Sequence, residues 1–199
     1  MLSRTLIGIG FAALVGVTIT ICVLVPIFKR SSSSWSFNED ESEPEWVAFK
    51  DNVSLTNAYV AGYQTNDDPV FICRADYEHY AGVYIGIFPG TLDPRKRVCL
   101  ISYGGNSYEM TTFEFLKAKD ESKLTWVTSS KGDLPMGTLI AGSSDVTDEL
   151  PIAKFYHKNQ ILIGKVEARD ELAYASYDDT EVEAIEYEVL CLTNFSFKK

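Results

Sequence analysis

Between Trp46 and Cys191 the apolar positions come in short runs: "NAYVAGY", "PVFICRADY", "GVYIGIF", "RVCLISY", "MTTFEFL", "LTWVTSS", "GTLIAG", "PIAKFYH", "ILIGKVEA", "ELAYASYD" and "AIEYEVLCL". Val, Ile, Tyr, Phe and Thr dominate them, and Gly, Pro, Asn and Asp interrupt them roughly every eight to twelve residues. Branched and aromatic side chains pack well on a pleated, half-buried surface, so each run is predicted to be a strand. No run sustains the 3.6-residue period of an amphipathic helix. The expectation for this part is all-β, built of short antiparallel strands.

One segment departs from that pattern. Residues 5–28, "TLIGIGFAALVGVTITICVLVPIF", carry no charge, and as a helix rising about 1.5 Å per residue they would reach about 36 Å, enough to cross the roughly 30 Å hydrocarbon layer. The run exceeds the apolar core of about 7 to 15 residues in a secretory signal and continues into "VPIFKR". Residues 1–30 are therefore expected to form an uncleaved, single-pass signal-anchor, one N-terminal hydrophobic helix. A cleaved signal, which would make the protein secreted, is the alternative. Residues 31–45, "SSSSWSFNEDESEPE", read as an acidic, Ser-rich stalk. The basic flanks tie, with Arg4 and the α-amino group facing Lys29 and Arg30. Two N-x-[ST] triplets, at Asn52 and Asn194, lean the C-terminal part toward the lumen or cell exterior as a glycoprotein.

A comparison of the chain with itself changes the picture most. "IEYEVL" at 185–190 echoes "TFEFLK" at 112–117, and the echo extends upstream. "EWVAFKDN" matches "TWVTSSKG" and "YVAGYQ" matches "LIAGSS" at an offset of 80; "CLISYGG" matches "LAYASYD" with their shared "SY" at an offset of 74. Two units follow, β repeat 1 at 46–119 and β repeat 2 at 126–192. About seventy residues of short strands bury both faces poorly alone, so the two are expected to pack into one pseudo-twofold body. Trp46 and Trp126 are expected to anchor matching core sites. Glu114 and Glu188 also match, and mark either a shared hydrogen bond or the outer face of each strand.

Composition narrows the partners. The chain has 199 residues, 46% hydrophobic, an ordinary globular proportion. Beyond the apolar segment 15 basic side chains stand against 28 acidic ones, a formal charge of −13. Such a body repels nucleic acid and anionic lipid at long range. Cys22 lies in the apolar segment, while Cys73, Cys99 and Cys191 sit in apolar runs and read as small buried thiols. One disulfide with one leftover thiol is the open alternative.

The order of W-V, A-G-x, "ICRA", a Pro-Gly turn, a cysteine strand leading to "SYGG", and a closing "YEVL" resembles the DM-nine repeat family. Its best-understood relatives are invertebrate two-repeat lectins. The resemblance covers 46–192 and implies a compact all-β body of two tandem repeats. For some members it implies recognition of mannose-type glycans in innate immunity. It also implies two sugar-gripping positions per repeat, an acid directly after A-G-x and a lysine directly after Pro-Gly. Here those positions hold Gln64 and Thr91 in repeat 1, and Ser144, with Asp145 beside it, and Lys165 in repeat 2. Lys165 is the expected retained ligand contact, set against the reading of a solvated lysine at a strand end. Gln64 retains hydrogen-bonding capacity without charge.

Catalytic and metal signatures are missing. His79 and His157 stand without H-E-x-x-H or paired C-x-x-C, and no nucleophile elbow, P-loop or dinucleotide fingerprint follows a strand. No cofactor or metal is expected, and no enzyme activity. The acids of "DDTEVEAIE", residues 178–186, read as a solvated turn rather than a Ca²⁺ loop. The expected function is a membrane-anchored or secreted lectin-like recognition protein. The alternative is a non-catalytic protein-interaction or trafficking module that has lost sugar binding. Glycans or glycoproteins, and the membrane through the N-terminal helix, are the expected partners, with a homodimer left open.

Overall fold

The computed structural model describes residues 43–193 apart from 51, 52, 80, 81, 146 and 148. The expected signal-anchor, most of the stalk, and both sequon asparagines, Asn52 and Asn194, lie outside the described residues. Among the described residues no helix is long and apolar enough to cross a membrane.

The first half contributes β1 (Glu45–Ala48), β2 (Val60–Tyr63), β3 (Pro69–His79), β4 (Val83–Asp93), β5 (Val98–Tyr103), β6 (Asn106–Met110) and β7 (Glu114–Lys117). The second contributes β8 (Leu124–Ser130), β9 (Ile140–Ser144), β10 (Leu150–His157), β11 (Gln160–Glu167), β12 (Leu172–Tyr177), β13 (Thr180–Ala184) and β14 (Glu186–Leu192). Between β7 and β8 lies a single 3₁₀ turn, Glu121–Lys123, capped by the Asp120 carboxylate. The all-β expectation holds for this body.

The strands pair in the order β1-β7-β3-β4-β5-β6-β13-β12-β11-β10-β14-β8, with β2 on β3 and β9 bridging β10 and β4. The two halves meet twice in this ladder, where Asn106 faces Thr180 and where Gly86 faces Ser144. The second approach is close: a Cβ on Gly86 would lie 2.1 Å from the Ser143 carbonyl, so only glycine fits.

β11 explains why the halves share a core. Ile161 to Val166 are all buried, the mark of a strand covered on both faces. Ile161 and Ile163 join one cluster with Tyr59, Val70, Ile72 and Leu116 of the first half and Ile152 and Leu190 of the second. Each such side chain contributes about 1.5–3 kcal/mol by leaving water.

The Trp and Glu pairs occupy corresponding registers. Trp46 faces Leu116 and Arg74 faces Glu114, while Trp126 faces Leu190 and Lys154 faces Glu188. The Arg74 guanidinium lies 4.3 Å from the Trp46 ring centre and 2.7 Å from Glu114. The Lys154 ammonium lies 4.3 Å from Trp126 and 2.9 Å from Glu188. Both glutamates therefore hold a cation over a ring rather than standing bare on an outer face. Both tryptophans are half-buried at the margin of the core rather than inside it, because each ring face carries a cation that needs water or a carboxylate nearby.

The expectation of three free thiols fails for two of them. Cys73 on β3 and Cys99 on β5 form a disulfide with Cα atoms 5.8 Å apart. β4 lies between those strands in the ladder, and its Gly90, opposite Cys73, leaves room for the close approach: a Cβ there would sit 2.0 Å from the Leu100 carbonyl oxygen. Cys191 stays a buried thiol.

Candidate functional site

Gln64 and Thr91 come together against β11. β11 pairs with β12 only from Gly164 onward, so Ile161 and Ile163 have no strand on that side. The Gln64 amide takes the place of one, its Nε2 donating to the Ile161 carbonyl at 2.9 Å and its Oε1 accepting from Ile161 N–H at 2.9 Å. Thr91 does the same for Ile163, accepting from N–H at 2.9 Å and donating to the carbonyl at 3.2 Å. Buried backbone groups must be paired, and here two side chains from the first half pair groups of the second. The polar heads of Gln64 and Thr91 are thus committed to the fold.

Beside them opens a cleft of about 270 Å³, lined also by Ser107, Ser176, Tyr177, Asp178 and Asp179. The Ser107 and Ser176 hydroxyls bond each other, and Ser176 is buried. Lys96 and Glu109 contribute an ion pair at 2.6 Å, and that hydrogen bond pushes the Lys96 ammonium above its ordinary pKa. Asp178 and Asp179 sit exposed on the turn joining β12 to β13. That part of the acidic run is the solvated turn expected. Glu181 is not: its carboxylate points inward.

Lys165 is the partner of Glu181. Its side chain is 1% exposed, with Nζ 2.6 Å from the Ser102 carbonyl, 2.8 Å from Glu181 and 3.2 Å from Glu167. Three acceptors match the three N–H donors of an ammonium. The solvated lysine at a strand end is overturned, because a buried charge persists only with partners such as these. The other Glu181 oxygen accepts from Gly105 N–H at 2.8 Å, so one carboxylate ties β13 to the β5–β6 turn. Burial pushes the Glu167 carboxyl up, opposed by Lys165. Tyr174, whose ring lies 5.6 Å from the ammonium, is pushed up to about 12 by burial and by Asp170 and Glu167.

The remaining expected site residues lie at the end of β9 and just after it. Ser144 pairs with Gly86, and its hydroxyl accepts from Thr147 N–H at 3.2 Å. Asp145 is exposed, its N–H donating to the Ile85 carbonyl at 2.8 Å. The Tyr103 phenol is pushed up first by burial and then by the Asp145 carboxylate.

A shift of 74 residues relates the two places. Thr91, Ser102 and Ser107 fall on Lys165, Ser176 and Glu181. Even a backbone bond repeats, Ser107 N–H to the Asp179 carbonyl at 3.4 Å and Glu181 N–H to the Gly105 carbonyl at 3.2 Å. Where one half carries two long charged side chains, the other carries two short hydroxyls, and the cleft is the space they leave. Sequence reasoning missed Ser107, Ser176 and Glu181, although the same offset, carried past the "YGG" match, pairs Ser107 with Glu181.

Among the described residues no group of three or more His, Cys, Asp or Glu side chains is placed to hold a metal ion. The DM9 repeat model matches residues 85–184, half of the chain. The chain belongs to the DM9 repeat family. The matched DM9 stretch contains Thr91, Ser107, Lys165, Ser176 and Glu181, so the buried charge group and the cleft's lining apart from Gln64 fall within it. No curated protein matches the chain. Among solved structures it is similar to the crystal structure of the nematode sperm cell motility protein MFP2B, at 14% identity and a TM-score of 0.47. That likeness covers 75% of this chain and 46% of the other, so the chain spans less than half the length of that protein.

Proposed function

We propose that this DM9 protein is a non-catalytic, lectin-like recognition protein whose two repeats pack about a pseudo-twofold, with one open sugar site in the cleft beside Gln64 and Thr91. The observation that carries the reading is the exchange of Lys165 and Glu181 for Thr91 and Ser107, which leaves about 270 Å³ open beside Thr91 and Ser107. That volume lies just below the usual range of ligand pockets, roughly 300–1,000 Å³, and suits one sugar ring. The Ser107 and Ser176 pair holds two hydroxyl protons and uses one between them, so one remains to donate to a ligand oxygen. Carboxylates on the rim accept from sugar hydroxyls, and charge strengthens such bonds.

Mannose-type glycans are the first class to try, by family resemblance, and a role in immune recognition is the extension of that reading. Lys165 serves as an internal strut, its donors already taken. The Cys73–Cys99 disulfide supports folding in an oxidising compartment. Together with the sequons at Asn52 and Asn194 it favours a lumenal or extracellular body, held to a membrane by residues 1–30.

A glycan array probed with the full-length chain tests the function, with the Thr91→Lys/Ser107→Glu variant alongside to refill the cleft. Binding by the wild type and silence from the variant is the expected result. Silence from folded wild type would move the assignment to protein recognition, for which Val83 and Tyr84 at the start of β4, 56% and 52% exposed, offer a surface.

A further inference from the structure

We infer that the cleft continues into a groove for a linear, positively charged oligosaccharide of the amino-sugar class. This deepens the sugar-site reading and rests on it. A second recess of about 270 Å³ adjoins the first and shares Gln64, Thr91 and Leu100 with it. Two ring-sized spaces divided by the same three side chains accommodate successive residues of a chain better than a single sugar.

The charges around the groove select the ligand. Asp68, Asp93, Glu109, Asp178 and Asp179 stand against Arg95 and Lys96. Both cations are spoken for, Arg95 by Asp68 and Lys96 by Glu109. Asp93 is also engaged, its Oδ1 accepting from the Arg95 and Lys96 N–H groups at 2.9 and 3.0 Å. Asp178 and Asp179 accept no hydrogen bond through their carboxylates from the described residues. Asp179 is within electrostatic reach of Lys96, but five carboxylates against two cations leave the groove's lining at a formal −3, in a body that already carries a formal −13.

An independent feature lies deeper in the cleft. Ser176 is 6% exposed and lines the cleft, and its hydroxyl pair with Ser107 has a proton to spare. The site thus offers a hydroxyl donor from within and carboxylate acceptors at the rim. A ligand with ring oxygens and ammonium groups answers both, whereas an acidic or sulfated sugar meets the carboxylates with like charge. A neutral sugar satisfies the inner donor and leaves the two aspartates without a counter-charge.

The test is calorimetry on the full-length chain with a free-amine glucosamine tetramer, its fully N-acetylated counterpart, a mannose tetramer and a lysine-rich peptide. The free-amine tetramer is expected to bind about tenfold more tightly than the N-acetylated one, with the advantage shrinking in about 0.5 M salt. Asp178→Asn/Asp179→Asn should remove that advantage, weakening the free-amine tetramer far more than either neutral tetramer, with thermal stability unchanged. Both positions lie on an exposed turn, and asparagine tolerates the positive φ of 42° at Asp178. Equal binding of amine and N-acetyl forms would overturn the ligand class and leave the sugar site standing. A monosaccharide binding as tightly as the tetramer would overturn the extended groove. Failure of every sugar would remove the sugar-site reading itself, and a peptide outcompeting the amine sugar would replace the ligand with protein.

Discussion

Thr91 and Lys165 occupy corresponding places on β4 and β11, yet one borders open space and the other fills it. Lys165 is buried among Ser102, Glu167 and Glu181, while Thr91 spends its hydroxyl on the Ile163 backbone and leaves a cleft beside it. A charged side chain at a position where resemblance leads one to expect a ligand contact is therefore not a free ligand contact by that fact alone. Desolvation decides: an ammonium with two carboxylates and a carbonyl has no donor left for a ligand. The place with two hydroxyls instead of two charges is the place with room.

The largest expected effect comes from breaking the filled half. Lys165→Ala leaves Glu181 buried beside Gly105 with no cation, and breaking a buried pair costs about 3–5 kcal/mol. Urea unfolding of the purified chain measures it. Lys165→Met/Glu181→Leu, which removes both charges, should recover most of that loss. If the single and double variants fall equally, Lys165 acts through packing and not through its charge.

Removing the Cys73–Cys99 bond comes next and acts on the first half only. It spans 26 residues in sequence, and the loop-entropy estimate for such a loop is about 3–4 kcal/mol. Cys73→Ala/Cys99→Ala should lower the unfolding free energy by that much, with a correspondingly lower denaturation midpoint, and abolish its sensitivity to reducing agent. An unchanged midpoint would mean that the two strands hold their approach through Gly90 alone.

Smaller effects separate the two cation–ring pairs. Glu114 and Glu188 are 40% and 35% exposed in their ion pairs, so Glu114→Gln and Glu188→Gln should each cost no more than about 1 kcal/mol. Similar losses from the two would fit their shared geometry, and a much larger loss from one would show that the halves differ there as well.

The smallest effect is one of pH. The Glu167 carboxyl is raised in the folded chain, so the folded state holds its proton more tightly than the unfolded one. Its contribution to stability is present below the ordinary carboxylate pKa and is lost as pH rises through the raised value. Glu167→Gln should therefore flatten the pH dependence of the melting temperature just above the carboxylate range and melt slightly higher at neutral pH. A steeper dependence would reverse the sign of that linkage.

The all-β character was legible because strand alternation and turn residues are local signals, and the matching of Trp46 with Trp126 and Glu114 with Glu188 because the offsets preserve phase. The Cys73–Cys99 bond was not, since all three thiols beyond residue 30 lie in similar apolar runs and only the approach of β5 to β3 across Gly90 selects the pair. The burial of Lys165 was equally hidden. Its partners Ser102 and Glu181 lie 63 and 16 residues away, and only the strand order brings them together. Gln64 and Thr91 were reachable by resemblance, but their bonds to the β11 backbone follow from the place where β12 stops pairing, which no local pattern encodes.

The difference between the two halves is tested most directly by the stoichiometry of sugar binding, measured by calorimetry with the best ligand from the array. The wild type should bind one sugar chain per polypeptide, and Thr91→Lys/Ser107→Glu none. Two sites in the wild type, or undiminished binding by the refilled variant, would contradict the assignment of the cleft.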